Sequence, residues 1–187
     1  MSEKILLISG SPNKNGTTET LALKAKVFLE ARGYSVRLFS LAREQFYACQ
    51  GCQKCMQDSF LGRCIFESKD NIYSLFQEML ILRKVFFFAP IYFYHLPGRC
   101  KGFIDRAQSF YALQQRNKLN ALPGILKAVL VAGRPKGNKL FIGTELTLTY
   151  FASIFCLSVK VCGLRGLDAP KHISQQVEEK VFSFLSI

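Results

Sequence analysis

The chain opens its regular pattern at residues 4–9, where Ile5-Leu6-Leu7-Ile8 forms a short unbroken apolar run of the kind a strand buried on both faces requires. That run gives way to Gly10-Ser11-Pro12-Asn13-Lys14-Asn15-Gly16, a turn-rich loop. Thr17, Thr18 and Glu19 suit a helix start, and Leu21, Ala25, Phe28 and Leu29 recur at helical spacing until Gly33 stops them. Residues 35–41 alternate as a second strand. Ile72, Leu75, Phe76, Met79 and Leu82 then mark an amphipathic helix leading into Lys84-Val85-Phe86-Phe87-Phe88-Ala89, a third strand apolar on both faces. Pro97 is placed to start a helix with Cys100, Ile104, Ala107 and Tyr111 on one face. Residues 127–132 predict a fourth strand, residues 140–159 a largely apolar helix entered through Gly143-Thr144-Glu145, and residues 159–162 a fifth strand. Ile173, Val177, Val181 and Leu185 predict a last helix.

Buried strands alternating with helices imply a parallel sheet covered on both faces. Five such units predict an α/β, flavodoxin-like three-layer sandwich with a five-stranded sheet of order 2-1-3-4-5. In that order the ligand crevice lies outside the carboxyl ends of the first and third strands, where the order reverses. The two most distinctive loops, residues 10–18 and 90–98, follow those strands. A chain of 187 residues is near the length of about 150 expected of one domain, and no repeat or linker divides residues 1–187. The exception to regular pattern is residues 42–70, a stretch without sustained period that holds four of the seven cysteines. Loops of that length are functional or disordered, and we read this one as functional.

Charge and composition narrow the partners. Hydrophobic residues at 49% exclude a disordered chain, and no apolar stretch reaches the roughly 20 residues that span a bilayer. Residues 5–8 are too short for a secretory core, so a cytoplasmic protein is expected. A net charge of +12 favours anionic partners, but the basic residues are scattered and carry no nucleic-acid module signature, so nucleic acid is not expected. An odd cysteine count with four crowded together favours a metal, cluster or redox site over a disulfide scaffold. Cys156 and Cys162, set among apolar residues, are expected to be buried thiols.

A loop of small residues between a strand and a helix start presents backbone N–H groups and a helix dipole to one point, which suits a phosphate. Ser11, Asn15, Thr17 and Thr18 add side-chain donors. The spacing matches neither the nucleoside-triphosphate loop nor the dinucleotide fingerprint, so a monophosphate is favoured. The second loop, with Pro90, Ile91, Tyr92, Phe93 and Tyr94, is aromatic and uncharged, and suits a flat ring at the switch point. Cys49-x-x-Cys52-x-x-Cys55 with Cys64 is the pattern by which a short loop wraps a [4Fe–4S] cluster; zinc on four thiolates and free thiols are the alternatives.

Those three motifs, with Pro97-Gly98-Arg99-Cys100-Lys101-Gly102-Phe103-Ile104-Asp105-Arg106 after the second loop, resemble the NADPH-dependent FMN reductase and iron-sulfur flavoprotein family. The resemblance implies FMN phosphate binding by Ser11, Asn15, Thr17 and Thr18, and an isoalloxazine held by residues 90–94. It also implies a third loop beside the ring at Ala132 and Gly133, extending to Gly137. Asp105 and Arg106 match the family's helix motif and are read as structural.

The implied function is an FMN-dependent NAD(P)H oxidoreductase passing electrons to a quinone, a flavin or a ferric chelate. Such chemistry needs no catalytic side chain, because the cofactor carries it. The alternative is an iron-sulfur flavoprotein relaying electrons between FMN, a cluster on Cys49, Cys52, Cys55 and Cys64, and protein partners such as a ferredoxin. A non-enzymatic carrier is a third reading, disfavoured by the basic charge because flavodoxin carriers tend to be acidic. Arg134, Lys136 or Arg99 would meet the dinucleotide phosphates. The apolar residues 140–159 and the aromatics near Tyr92 to Tyr94 predict a homo-oligomer, a dimer or tetramer.

Overall fold

The computed structural model describes residues 2–186. Its sheet has five parallel strands, β1 Lys4–Ser9, β2 Ser35–Ser40, β3 Lys84–Pro90, β4 Gly124–Val131 and β5 Leu157–Leu164, in the order β2-β1-β3-β4-β5. Leu6 to Ser9 of β1 pair with Val85 to Phe88 of β3, so the two strands end side by side at the switch point. The helices are α1 Thr17–Glu30, α2 Ile72–Ile81, α3 Gly98–Asp105, α4 Gln108–Gln115, α5 Ile142–Ile154 and α6 Gln175–Leu185. No helix among the described residues is long and apolar enough to cross a membrane.

Alternation along the strands divides the core in two. Val85, Phe87 and Ala89 face α2 to α5, where Phe76, Phe103, Phe110, Phe151 and Phe155 interlock in tilted and edge-on pairs. Phe86 and Phe88 face α1 and α6, which meet through the stacked rings of Phe28 and Phe182. β3 is thus buried on both faces, as its unbroken apolar run requires.

Several boundaries differ from the sequence expectation, among them the start of β4, at Gly124 rather than residue 127. The helix begun at Pro97 breaks into α3 and α4 at Arg106 and Ala107, and Tyr111 is exposed. The apolar helix ends at Ile154 and β5 begins at Leu157, two residues before the predicted strand start at residue 159. Residues 146–159 are uncharged and mostly apolar, with Thr and Ser scattered through them, so periodicity alone offered no place to divide them. The divide is made by Cys156, at φ 56°, and this position leaves Cys156 exposed rather than buried. Cys162 is buried as expected.

A buried cation ties down the end of the last helix. Lys127 of β4 donates at 2.9 Å to the carbonyls of Phe184 and Ser186 at the end of α6. Burial, with Lys160 and Lys84 nearby, lowers its pKa.

Candidate functional site

At the carboxyl edge of β1, Gly10 donates to the carbonyl of Phe88 at 2.7 Å, and a Cβ on Gly10 would lie 2.7 Å from the Cys100 sulfur. Glycine is therefore required to bring the loop down onto α3. The Ser11 hydroxyl donates to the Asn13 carbonyl and accepts from the Asn13 N–H, closing a tight turn. α1 begins after Gly16, and no side chain accepts from its first turn. Thr17 and Thr18 are buried there, so the free N–H groups of the helix start stand in a protected place.

Glu19 fixes this loop. Its carboxylate is 0% exposed and accepts from the Asn15 N–H at 2.6 Å, from the Ser40 hydroxyl, and from Arg43 Nε and Nη2 at 3.0 and 3.1 Å. Burial alone pushes the carboxyl up, but the Ser40 hydroxyl, the Asn15 N–H and Arg43 outweigh it and hold it below its ordinary value. The result is Asn15 held at φ 58° with its side-chain oxygen taken by Arg43.

A cleft of about 370 Å³ opens above the strand ends. Of the residues proposed from sequence, Ser11, Thr17, Thr18, Pro90, Ile91, Tyr92 and Gly133 line it. Asn15, Phe93, Tyr94 and Ala132 do not, although Ala132 is buried beside Gly133. Asn13 stands in the wall where Asn15 was expected, and its amide donates to the Tyr92 hydroxyl at 3.3 Å. Sequence reasoning also missed the far wall, Leu167 to Pro170. A Cβ on Gly133 would lie 1.5 Å from Asp168 Oδ1, so the absence of a side chain at Gly133 makes room for that carboxylate. The only sequence signal for this wall was its position after a strand at the crevice edge.

Residues 90–95 end in a hairpin. Tyr92 and His95 exchange two backbone hydrogen bonds of 2.8 and 3.0 Å, and the two residues between them, Phe93 and Tyr94, have φ of 47° and 63°. The Tyr94 hydroxyl accepts from Arg134 at 2.9 Å, and His95 Nε2 lies 3.1 Å from the Thr147 hydroxyl of α5. Arg134 lines the cleft, whereas Arg99 is committed elsewhere: it donates to the carbonyls of Leu41 and Glu44 and lies over the Phe46 ring.

Cys49, Cys52, Cys55 and Cys64 line a second cavity, of about 390 Å³. Burial pushes the Cys55 thiol up, and Cys49, Cys52 and Cys64 nearby push it further. Among the described residues no three His, Cys, Asp or Glu side chains are grouped so as to hold one metal ion. At the cavity floor lies Arg106, whose guanidinium is 1% exposed and paired at 2.6 Å with the fully buried Asp70. Asp70 also accepts from the N–H groups of Tyr47 and Ile72, and Arg106 donates to the Tyr47 carbonyl, so the pair clamps both ends of the cysteine loop. Arg106 Nε is buried and has no acceptor.

The model of the NADPH-dependent FMN reductase family matches residues 3–139. An iron-sulfur flavoprotein of Archaeoglobus fulgidus is 30% identical over 105 residues, 56% of this chain and 49% of that protein, so the chain spans about half the length of this relative. An iron-sulfur flavoprotein of Methanocaldococcus jannaschii is 26% identical over 155 residues, covering 82% of this chain and 72% of that one. Among solved structures, an NADH:FMN oxidoreductase in its apo form aligns with 99% of this chain and 91% of its own, at a TM-score of 0.61 and 18% identity. An FMN-dependent NADH-azoreductase from Bacillus anthracis, in complex with FMN, aligns over 97% of each chain at 0.61 and 12% identity. Likeness at such identities is one of fold, and that fold is flavodoxin-like. With the family's model covering most of its length, the chain belongs to the NADPH-dependent FMN reductases.

Proposed function

We propose that the protein is an FMN-dependent NAD(P)H oxidoreductase that passes electrons to a small acceptor. The observation that carries this reading is the uncapped, buried start of α1 opening into a cleft at the switch point between β1 and β3. In this reading Ser11, Thr17 and Thr18 hold the FMN phosphate, and Asn15, with Glu19 behind it, sets the loop's shape. Pro90, Ile91 and Tyr92 support one side of the isoalloxazine, and Gly133, beside Ala132, leaves room at its edge. Bound FMN supplies a ring that takes hydride from a nicotinamide and hands electrons onward. The chain's own contribution is placement, exclusion of water by the buried strand ends, and cationic charge for the dinucleotide phosphates. Arg134 at the cleft wall and the exposed Lys136 serve the last role; Arg99 is already spent on carbonyls. Exposed Ile142, Leu146 and Tyr150, spaced four apart along α5, form the face of a homo-oligomer.

A second reading adds an electron relay. Four thiols that share one cavity without meeting at a point suit a group with several metal corners better than a single zinc ion, which draws its ligands onto one tetrahedron. The names of the archaeal relatives favour the same reading. Cys49, Cys52, Cys55 and Cys64 would then hold a [4Fe–4S] cluster serving a protein partner such as a ferredoxin.

An absorbance spectrum of anaerobically purified protein before and after NADPH, with iron and acid-labile sulfide assayed on the same sample, tests both. Flavin bands bleached by NADPH support the reductase, and iron matched by sulfide adds the relay. Protein that binds no flavin even on reconstitution refutes the assignment of residues 11–18.

A further inference from the structure

The cysteine cavity has a buried cation in its lining, and one N–H of that cation is left over from the bonds that hold it. An arginine side chain carries five N–H donors on a rigid plane. In Arg106, Nη1 donates to the Tyr47 carbonyl at 2.8 Å and to Asp70 Oδ2 at 2.6 Å, and Nη2 donates to Asp70 Oδ1 at 3.2 Å. Nε is buried and meets no acceptor among the described residues. Leaving a buried charged donor unpaired is costly, and folded proteins satisfy almost all of theirs, so this one calls for an explanation.

The surroundings supply one. Asp70, which takes the Nη nitrogens, does not line the cavity, whereas Arg106 does, together with Cys49, Cys52, Cys55 and Cys64. The ion pair therefore presents its positive member to the cavity and keeps its negative member behind it. Two oxygen-bearing side chains close by in the chain are already engaged: Asp105 pairs with Lys101, and the Ser109 hydroxyl donates to the Arg106 carbonyl. What the cavity offers in number is sulfur. Phe66, with its ring centroid 5.3 Å from the guanidinium, shields the cation from water. Because the pair pins the loop at Tyr47 and Ile72, it stays in place as the cysteines between them close on a ligand. The other charged residues of the lining, Arg63 and Asp105, sit in solvent-exposed salt bridges, where screening shortens their reach.

We propose that Arg106 sets the reduction potential of an iron-sulfur cluster held in this cavity, its Nε–H donating to a thiolate or sulfide of the cluster and its charge favouring the reduced form. The inference rests on the relay reading above and assigns that relay a tuning residue. The step concerned is the gain of one electron by the cluster, given up by reduced FMN in the protein and by dithionite in the assay, with no bond of the chain made or broken. The added electron raises the negative charge on the sulfurs, and a charged donor already in place bonds more strongly to the more negative acceptor. Hydrogen bonds to the sulfurs and nearby charge are the levers by which a protein moves such a potential.

The test titrates the full chain, loaded with FMN and reconstituted anaerobically with iron and sulfide, against dithionite at set potentials, reading the reduced cluster by electron paramagnetic resonance and the flavin by absorbance. Arg106→Met with Asp70→Leu removes both charges together, so that no carboxylate is left buried alone. Arg106→Lys keeps the charge and loses the Nε–H, and should either variant fail to fold the other still reports the potential. The expected result is a cluster about tenfold harder to reduce at a fixed potential in the double variant, which is about 59 mV downward for one electron. Iron and sulfide per chain and the flavin potential stay at the parent's values, and Arg106→Lys falls between the two. A cluster shift of less than twofold, an equal shift in the flavin, or an Arg106→Lys protein that matches the parent overturns the proposal. So does a double variant that folds but assembles no cluster, since Arg106 then only holds the loop. Parent protein that takes up no iron and sulfide on reconstitution overturns the relay reading itself, and this is read before any variant is titrated.

Discussion

Glu19→Gln isolates the device that shapes the loop between β1 and α1. The parent carboxylate is fully buried and answers four donors, from Asn15, Ser40 and two nitrogens of Arg43. The Arg43 side chain is 46% exposed, so it returns to water when its partner loses charge and contributes little to the loss. The Asn15 N–H and the Ser40 hydroxyl have no such escape. Hydrogen bonds to a charged group are each worth about 1.5–3 kcal/mol, and the glutamine keeps one accepting oxygen, so the net cost is about 2–3 kcal/mol. For a chain of this size that lowers the melting temperature by about 4–12 °C near neutral pH. Because the same bonds hold Asn15 in its left-handed conformation, FMN affinity falls with it, by about tenfold, readable by flavin fluorescence. The pH dependence supplies the sharper check. Glu19 has a folded pKa below its ordinary value of 4.5, so its stabilisation is complete above that value and disappears as pH falls through the folded one. The gap in melting temperature between parent and Glu19→Gln must therefore close on acidification. A gap as wide at about pH 3.5 as at about pH 7 would refute the argument.

Arg106→Met leaves the Asp70 carboxylate buried without its cation and should cost about 3–5 kcal/mol in denaturant melts, with part recovered in the double variant Arg106→Met, Asp70→Leu; equal losses in both would show that the charge is not the issue. Gly133→Ala places its new methyl against the exposed Asp168 carboxylate, which must swing toward solvent, so the change in FMN affinity should be no larger than that of Asp168→Ala alone; a much larger loss would show that the backbone at Gly133 itself cannot accept a side chain. Sedimentation should show an oligomer at micromolar protein that Leu146→Glu with Tyr150→Glu converts to monomer; a parent that sediments as a monomer would leave the α5 stripe without a partner.

The parts of this molecule that were legible in its sequence are those fixed by local pattern. The unbroken runs at Ile5 to Ile8 and Val85 to Ala89 identify strands with both faces covered, and these two strands alone place the crevice. The cysteine spacing likewise marks a shared cavity before any coordinate is known. What was not legible depends on partners distant in the chain. Nothing near Glu19 announces that Arg43 and Ser40 will converge on it, and nothing near Asp70 announces Arg106. The Phe93 turn was invisible for the opposite reason: the residues expected at positive φ are missing from it. The α5–β5 divide was misplaced because apolar residues continue through it without a change of period.

α3 packs under the loops of both cavities. Its Cys100 lies beneath Gly10 of the loop between β1 and α1, its Arg99 grips the carbonyls of Leu41 and Glu44 where the cysteine loop departs, and its Gly102 rests against Ala48. One short helix of eight residues thus serves as a common keel for the loops of the cleft and of the cysteine cavity. Any displacement of that keel favoured by a ligand in one cavity alters the affinity of the other, and equilibrium requires the effect to be the same factor in both directions. On the proposed reading, in which the cleft takes FMN and the cysteine cavity a cluster, loading is a coupled process and whichever cavity fills first sets the terms for the second.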